Sequence, residues 1–204
     1  MKVIILAAGF GTRLYPLTEN TPKALLKVGG KTLLDHLMLQ IETVPAIDEV
    51  VLVTNGKFYI DFFKWRKSAK TKKRIKIVDD GCFVPEERFG AVRDLELGIN
   101  AVDIPFDDAY LILCGDNYFD YPLSHFLLRS MGQTDEGTIG LYDVKEKQKA
   151  SLYGVVELDH YDRVISFEEK PENPKSTLAS LGVYYLPYSH VCQIFEFLEV
   201  EKRN

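Results

Sequence analysis

Val3 to Lys27, VIILAAGFGTRLYPLTENTPKALLK, constrains what this chain can fold into more than any other stretch. Val3 to Leu6 is a continuous apolar run, the pattern of a strand buried on both faces. Ala7, Ala8 and Gly9 then shrink every side chain, so that something can approach the backbone. Gly9-Phe10-Gly11 predicts a tight turn with exposed amides, and Arg13 and Lys23 follow as two nearby cations. Unpaired N–H groups in a glycine turn accept anionic oxygens and the cations neutralise them, so the stretch predicts a phosphate-rich ligand.

A length of 204 residues with 46% hydrophobic content is ample for a packed core, and the expectation is one domain over 1–204. The formal net charge of −5 argues against an electrostatic nucleic-acid binder, so the anion-binding cations must be local. Cys82, Cys114 and Cys192 are far apart and the four histidines are scattered, which supports neither a disulfide framework nor a zinc site. No apolar run approaches a membrane span, and the first is too soon followed by glycine to be a signal peptide. The expectation is a cytoplasmic protein with no membrane partner.

Along the chain, Thr32 reads as a helix N-cap with Asp35 three residues on, and Leu33, Leu34, Leu37, Met38 and Ile41 mark the apolar face that follows. Strands are predicted at Glu49 to Thr54, Arg74 to Val78 and Ala109 to Cys114. Helices are predicted at Lys57 to Ser68, Ala91 to Ala101 and Tyr121 to Met131. The aromatics Phe58, Phe62, Phe63 and Trp65 fall at helical spacing, which favours core packing over a stacking surface. The basic segment from Lys64 to Arg74 lies at a helix end and turn, where solvated charge is the ordinary outcome, and nucleic acid is rejected for it. Thr138 to Tyr142 is a short strand. Gly154 to Leu158 and Val164 to Phe167 then flank His160-Tyr161-Asp162 as a hairpin, Leu181 to Leu186 adds a strand, and a helix runs from Tyr188 to Val200. Early strand–helix alternation with a late hairpin predicts a mixed sheet, mainly parallel.

The glycine turn is not a dinucleotide fingerprint, since Leu14 stands at the third glycine position and Pro16 cuts short any helix starting there. The next strand ends Val53-Thr54-Asn55, with no acid for a ribose hydroxyl, and no Gly-Lys-Ser/Thr makes a Walker loop. Asp116, after the buried strand AYLILC and Gly115, reads equally as a turn residue or as a magnesium ligand working with substrate phosphates. The phosphate loop tilts it to the metal. In Glu169-Lys170-Pro171, the proline predicts an extended exit able to aim Lys170 into a cleft, against the default of a solvated surface lysine.

LAAGFGTRLYPLTENTPKALLKVGGKTLLDH closely resembles the signature of the sugar-1-phosphate nucleotidylyltransferases, with Arg13 and Pro22-Lys23 at the matching spacing. The likeness continues in CGDNYFD, YGVVELD, FEEKPENPKS and LGVYYLP, and so covers essentially the whole chain in order. It implies an α/β, Rossmann-like three-layer nucleotide-diphospho-sugar transferase fold with a mixed, mainly parallel central sheet. It also implies attack of a sugar 1-phosphate oxygen on the α-phosphorus of a nucleoside triphosphate, with release of pyrophosphate and Mg2+ as cofactor. Positioning and charge neutralisation suffice for such a transfer, and no Ser, Cys or His nucleophile is required.

By the same resemblance Leu6, Ala8, Gly9, Gly11 and Thr12 bind the nucleotide, Arg13 neutralises the triphosphate and leaving group, and Lys23 contacts phosphate at the reacting centre. Asp116 holds magnesium, Lys170 neutralises the sugar phosphate, and Tyr153, Gly154 and Glu169 lie near the sugar. Where the family has a Gly-Thr-Ala turn facing the base, this chain has Arg88-Phe89-Gly90-Ala91-Val92 after the longer stretch Asp79 to Glu87. Gly90 still matches, and Asp80 is the candidate base reader. The family's second metal aspartate, in a Trp/Leu-Asp-x-Gly segment, has no counterpart before Asn204, and Asp143, Asp159 and Asp162 are stand-ins by composition only. Two readings stand beside the sugar enzyme: a cytidylyltransferase acting on an alcohol phosphate such as phosphocholine, and a catalytically weak nucleotide-sugar binding or regulatory module. Glu169-Lys170-Pro171 followed by Pro174-Lys175-Ser176 favours the sugar enzymes. Base, sugar and oligomeric state stay open, a homo-oligomer included.

Overall fold

The structure is a computed structural model and describes residues 1–103, 109–132 and 135–201. From the amino terminus, strand β1 (Lys2–Ala7) leads into the glycine turn, and the short pair β2 (Lys27–Val28) and β3 (Lys31–Thr32) precedes helix α1 (Leu33–Glu42). Then come β4 (Glu49–Thr54), α2 (Tyr59–Ser68), β5 (Arg74–Asp79), α3 (Ala91–Asn100), β6 (Tyr110–Cys114) and α4 (Leu123–Met131). The remainder is β7 (Thr138–Asp143), α5 (Lys147–Ala150), β8 (Gly154–Leu158), β9 (Val164–Glu169), β10 (Leu178–Leu186) and α6 (Tyr188–Glu201). Among the described residues no helix is long and apolar enough to cross a membrane.

The chain divides into two compact units, Met1–Thr138 with Tyr184–Asn204, and Ile139–Val183. In the first, the order is β5-β4-β1-β6, and β1 pairs parallel with both β4 and β6. Val3, Ile4 and Ile5 are fully buried, as the unbroken apolar run requires of a strand covered on both faces. In the second unit β8 pairs antiparallel with β9 and with the start of β10. Together the strands make the mixed, mainly parallel set of an α/β Rossmann-like fold, with helices flanking it.

Local chemistry accounts for the helix boundaries. Thr32 Oγ1 accepts from Asp35 N and Asp35 Oδ2 accepts from Thr32 N, both at 3.0 Å, closing the capping box that starts α1. The free oxygen of the same carboxylate accepts from Trp65 Nε1 at 2.9 Å, tying α2 to α1. Phe58, Phe62 and Trp65 are buried, so these aromatics of the α2 region do serve packing. α2 begins at Tyr59 rather than Lys57 because Asn55 Oδ1 accepts from Phe58 N and winds residues 56–58 into a tighter 3-10 turn. α4 begins at Leu123 rather than Tyr121, since Pro122 disfavours a helical Tyr121 before it and itself sits extended, at ψ 122, as the N-cap. The pair β2–β3, turning through Gly29 and Gly30 at positive φ, and the short α5 are elements the periodicity does not signal.

Helix α3 carries two liabilities that position it. Gly98 packs so close to β1 and β4 that a Cβ there would lie 2.7 Å from Ile4 Cγ2 and 3.0 Å from Val53 Cγ2. Asp94 Oδ1 is buried without a hydrogen-bond partner. Burial, and secondarily the charge of Asp80, push its pKa from the usual 3.8 up to about 7. Gly98→Val is expected to cost about 1–3 kcal/mol by overpacking, read as a shift in the urea midpoint at constant m. For Asp94, the folded protein holds the proton more tightly than the unfolded chain, so its stability contribution is lost as pH rises from 3.8 to about 7. Asp94→Asn should flatten the melting temperature over that window, and parallel pH profiles for the two proteins would refute the burial.

Candidate active site

The site begins where β1 ends. Ala8 is buried and its carbonyl accepts from the Asn55 side chain at 2.8 Å, while Asn55 itself is fully buried after β4. Phe10 is also buried, its ring 6.4 Å from that of Phe58, so the turn is pinned on both sides of Gly9. Gly11 has φ 65, and Thr18 Oγ1 donates to its carbonyl at 2.7 Å. A Cβ at Gly11 would sit 3.1 Å from Thr18 Cβ, so both conformation and space require glycine. Thr12–Leu14 then forms a single 3-10 turn that stops ahead of Pro16. Thr12 and Arg13 are exposed, and no group among the described residues pairs with the Arg13 guanidinium.

Asp116 reaches this turn through the sheet. Gly115 N donates to Leu6 O at 2.8 Å, continuing the β1–β6 register one step past Leu6↔Cys114. A Cβ on Gly115 would meet Ile5 Cγ2 at 3.0 Å and Ala7 Cβ at 3.1 Å, so the glycine lets the chain leave β6 tight against β1. Lys23 opens a 3-10 turn after Pro22, held down by the buried Ala24. Its Nζ donates to Asp116 Oδ2 at 2.8 Å, across 93 residues of sequence. The side chains are 37% and 42% exposed. An ion pair this open is worth about 0–1 kcal/mol, so an incoming anion or cation separates the partners at little cost.

The structure thus brings Leu6, Ala8, Gly9, Gly11, Thr12, Arg13, Lys23 and Asp116 to the carboxyl end of the parallel strands, where open α/β sheets bind ligands. Asp80 follows β5, its backbone N donating to Thr54 O at 2.9 Å, and its Oδ1 accepts from Cys82 N at 2.8 Å. It is therefore a turn former, with a pKa raised mainly by burial. The stretch after it folds inward on Cys82, which is buried and donates from Sγ to Glu87 O, while Gly56 N donates to Cys82 O. Gly90, at φ 93, is the N-cap of α3. Among the described residues no group of three His, Cys, Asp or Glu is placed to hold a metal. Asn55 is the residue that sequence reasoning overlooked here. It counts there only as a missing acid, although Asn-Gly after a buried strand is itself a turn signal.

The second unit gathers Tyr153, Gly154, Glu169 and Lys170. Gly154 pairs with Glu169 across β8–β9, and Lys170 N donates to Tyr153 O at 2.9 Å. A Cβ on Gly154 would lie 2.7 Å from Phe167 Cζ, so the cross-strand ring requires the glycine. The Lys170 ammonium pairs with Glu169 Oε1. Its backbone corrects one expectation: φ is 48, left-handed rather than the extended exit that Pro171 predicts. The ladder bond to Tyr153 holds the residue there, a strained state of the kind that concentrates at functional positions. Of the stand-in acids, Asp143 bonds Lys145 and Thr177, which lower its pKa to about 2, and Asp159 accepts from Tyr161 N and Arg163 N. Both are committed to their own turns, and Asp162 sits exposed in the hairpin connection at φ 61.

A family model described as Nucleotidyl transferase matches residues 2–204. The bifunctional protein GlmU of Methanocaldococcus jannaschii is 33% identical over 99% of this chain and 43% of its own length. The UTP–glucose-1-phosphate uridylyltransferase AglF of Haloferax volcanii is 29% identical over 96% of this chain and 76% of its own. The chain thus spans less than half of the GlmU relative's length. Among solved structures, a Bacillus anthracis protein described as a glucose-1-phosphate thymidylyltransferase, solved with sucrose, superposes with TM-score 0.76 at 26% identity, over 93% of this chain and 72% of that one. With the glycine turn, its cations and Asp116 in place and the match running from residue 2 to residue 204, the chain belongs to the nucleotidyl transferase family.

Proposed function

We propose that the protein transfers a nucleotidyl group from a nucleoside triphosphate to a sugar 1-phosphate, releasing pyrophosphate and forming an NDP-sugar. The observation that carries this reading is the Lys23–Asp116 contact of 2.8 Å beside a glycine turn whose Arg13 has no partner among the described residues. Relatives named as acting on glucose 1-phosphate with uridylyl and thymidylyl donors support it.

In this reading the amides of Gly9 to Thr12 receive the triphosphate, and Arg13 neutralises charge building on the leaving pyrophosphate. An oxygen of the sugar 1-phosphate attacks the α-phosphorus, a new P–O bond forms, and the bond to the β-phosphate oxygen breaks. Lys23, released from Asp116, holds the phosphates at the reacting centre. Asp116 suits magnesium: it is a half-exposed hard oxygen donor at a strand end, and one carboxylate completed by substrate phosphates and water is a usual site for that ion. When bound there, the ion adds charge neutralisation across the reacting phosphates. Lys170, with Glu169, Tyr153 and Gly154, binds the sugar phosphate.

Pyrophosphate release over a grid of triphosphates and sugar 1-phosphates, with magnesium, tests the reading; nucleotide binding without turnover on any pair would replace it with a binding module. Lys23→Ala and Asp116→Asn should each lower kcat by about 10²–10³ with unchanged melting temperatures, and near-normal rates would remove that residue from the mechanism. Without metal, Asp116→Asn should tighten pyrophosphate binding up to about fivefold, because Lys23 no longer has to leave a carboxylate. Lys170→Ala should raise KM for the sugar 1-phosphate far more than it lowers kcat; an unchanged KM would count against its role.

A further inference from the structure

The basic residues from the end of α2 into β5 take no part in the site described above, and the structure gives them a shape. A hollow of about 460 Å³ opens at the amino ends of β4 and β5. Arg66, Lys73, Arg74 and Lys76 line it, with Glu49 and Asp103 as its carboxylates. The glycine turn and Asp116 leave the carboxyl ends of the parallel strands, so a six-residue strand, about 16–20 Å, separates the two places. The hollow lies wholly within the first unit.

The cations are held apart and only partly neutralised. Lys73 Nζ donates to Val44 O at 2.8 Å and Ile47 O at 2.7 Å, and Lys76 Nζ donates to Ala101 O at 2.7 Å. Carbonyl bonds fix an ammonium without cancelling its charge, and each of these lysines keeps a proton to donate. Arg74 is shared between Asp48 and Asp103, and Lys76 also meets Asp103 at 3.3 Å. Glu49, only 3% exposed, already faces Lys2 Nζ at 3.5 Å, too long and poorly aimed for a hydrogen bond but close enough to offset its charge. Arg66 has no partner among the described residues. Among the described residues the lining carries four cations and two carboxylates, with Asp48 shared between Lys2 and Arg74 beside it, so the hollow is net positive in a chain whose net charge is −5.

We propose that this hollow is a second anion site, separate from the glycine turn, and that it takes a small phosphate ester. A phosphate monoester carries about −1.5 to −2 at neutral pH, the sign that a net positive lining attracts. The forked guanidinium of Arg66 suits its oxygens, and Arg74 and Lys76 flank them. The volume exceeds what a bare phosphate fills and lies in the range of small-molecule sites, so one esterified metabolite fits.

The test is calorimetric titration of the full chain with glycerol 3-phosphate and with inorganic phosphate at physiological salt. Arg66→Ala and Lys76→Gln, both at the surface, should weaken the ester by about tenfold or more, as loss of a charge-assisted hydrogen bond does. Lys23→Ala should leave that binding within about twofold, since its lysine is at the other end of the strands. Loss of binding in Lys23→Ala with none in Arg66→Ala would assign the ester to the glycine turn and overturn the proposal. No saturable heat, or a signal that sulfate reproduces equally and that fades with added salt, would also overturn it, as a diffuse counter-ion effect.

Discussion

The parallel pairing of β1 on both of its edges is the constraint on which the rest depends. Its register sets Ala7 opposite Thr54 and Leu6 opposite Cys114, so three chain segments leave the sheet at one level. The glycine turn, Asn55 and Asp116 are neighbours for that reason. Gly115 N on Leu6 O carries the ladder one residue further and delivers the carboxylate next to the loop. Asn55, reaching back to Ala8 O, locks the turn from the other edge. The strand's burial supplies the rigidity, and the small residues after it supply the opening.

The same parallel arrangement gives the sheet two chemically different ends. At the carboxyl ends, amides of a glycine turn stand beside one open ion pair, which is easily exchanged for ligand contacts. At the amino ends, charged side chains are spaced by carbonyl bonds and shared carboxylates into a lasting positive hollow. One end is poised to rearrange and the other is already set. α3 joins the two ends, and its cost is visible in Gly98, which must lack a side chain, and in Asp94, which is buried without a partner.

Much of this was legible in residue patterns. The Val3 to Leu6 run predicted a doubly covered strand, Thr32 with Asp35 a capping box, and Pro16 the end of the turn begun at Thr12, and each has a local physical cause. Phe58, Phe62 and Trp65 read as core and are core, while Phe63 is half-buried and stacks on Tyr59 under Lys67. Other features escaped because their causes are not local. Pro171 argues for an extended Lys170, but a ladder bond to Tyr153 holds it left-handed. Asp80 reads as the candidate base reader, and what the pattern does not show is that its Oδ1 accepts from Cys82 N. Lys64 to Arg74 reads as ordinary solvated charge, and Arg66 and Arg74 are indeed exposed; that they line one hollow with Lys73 and Lys76 is what a linear pattern does not show.

Sequence alone determined the strand, the glycine turn, the cations that follow it and the likeness to a transferase family, because each rests on residues a few positions apart. Only tertiary structure decided that Lys23 meets Asp116 across 93 residues, and that Arg66, Lys73, Arg74 and Lys76 share one hollow with Glu49 and Asp103. Such contacts depend on strand register and on which backbone groups are already spent, and both are settled by packing rather than by spacing along the chain.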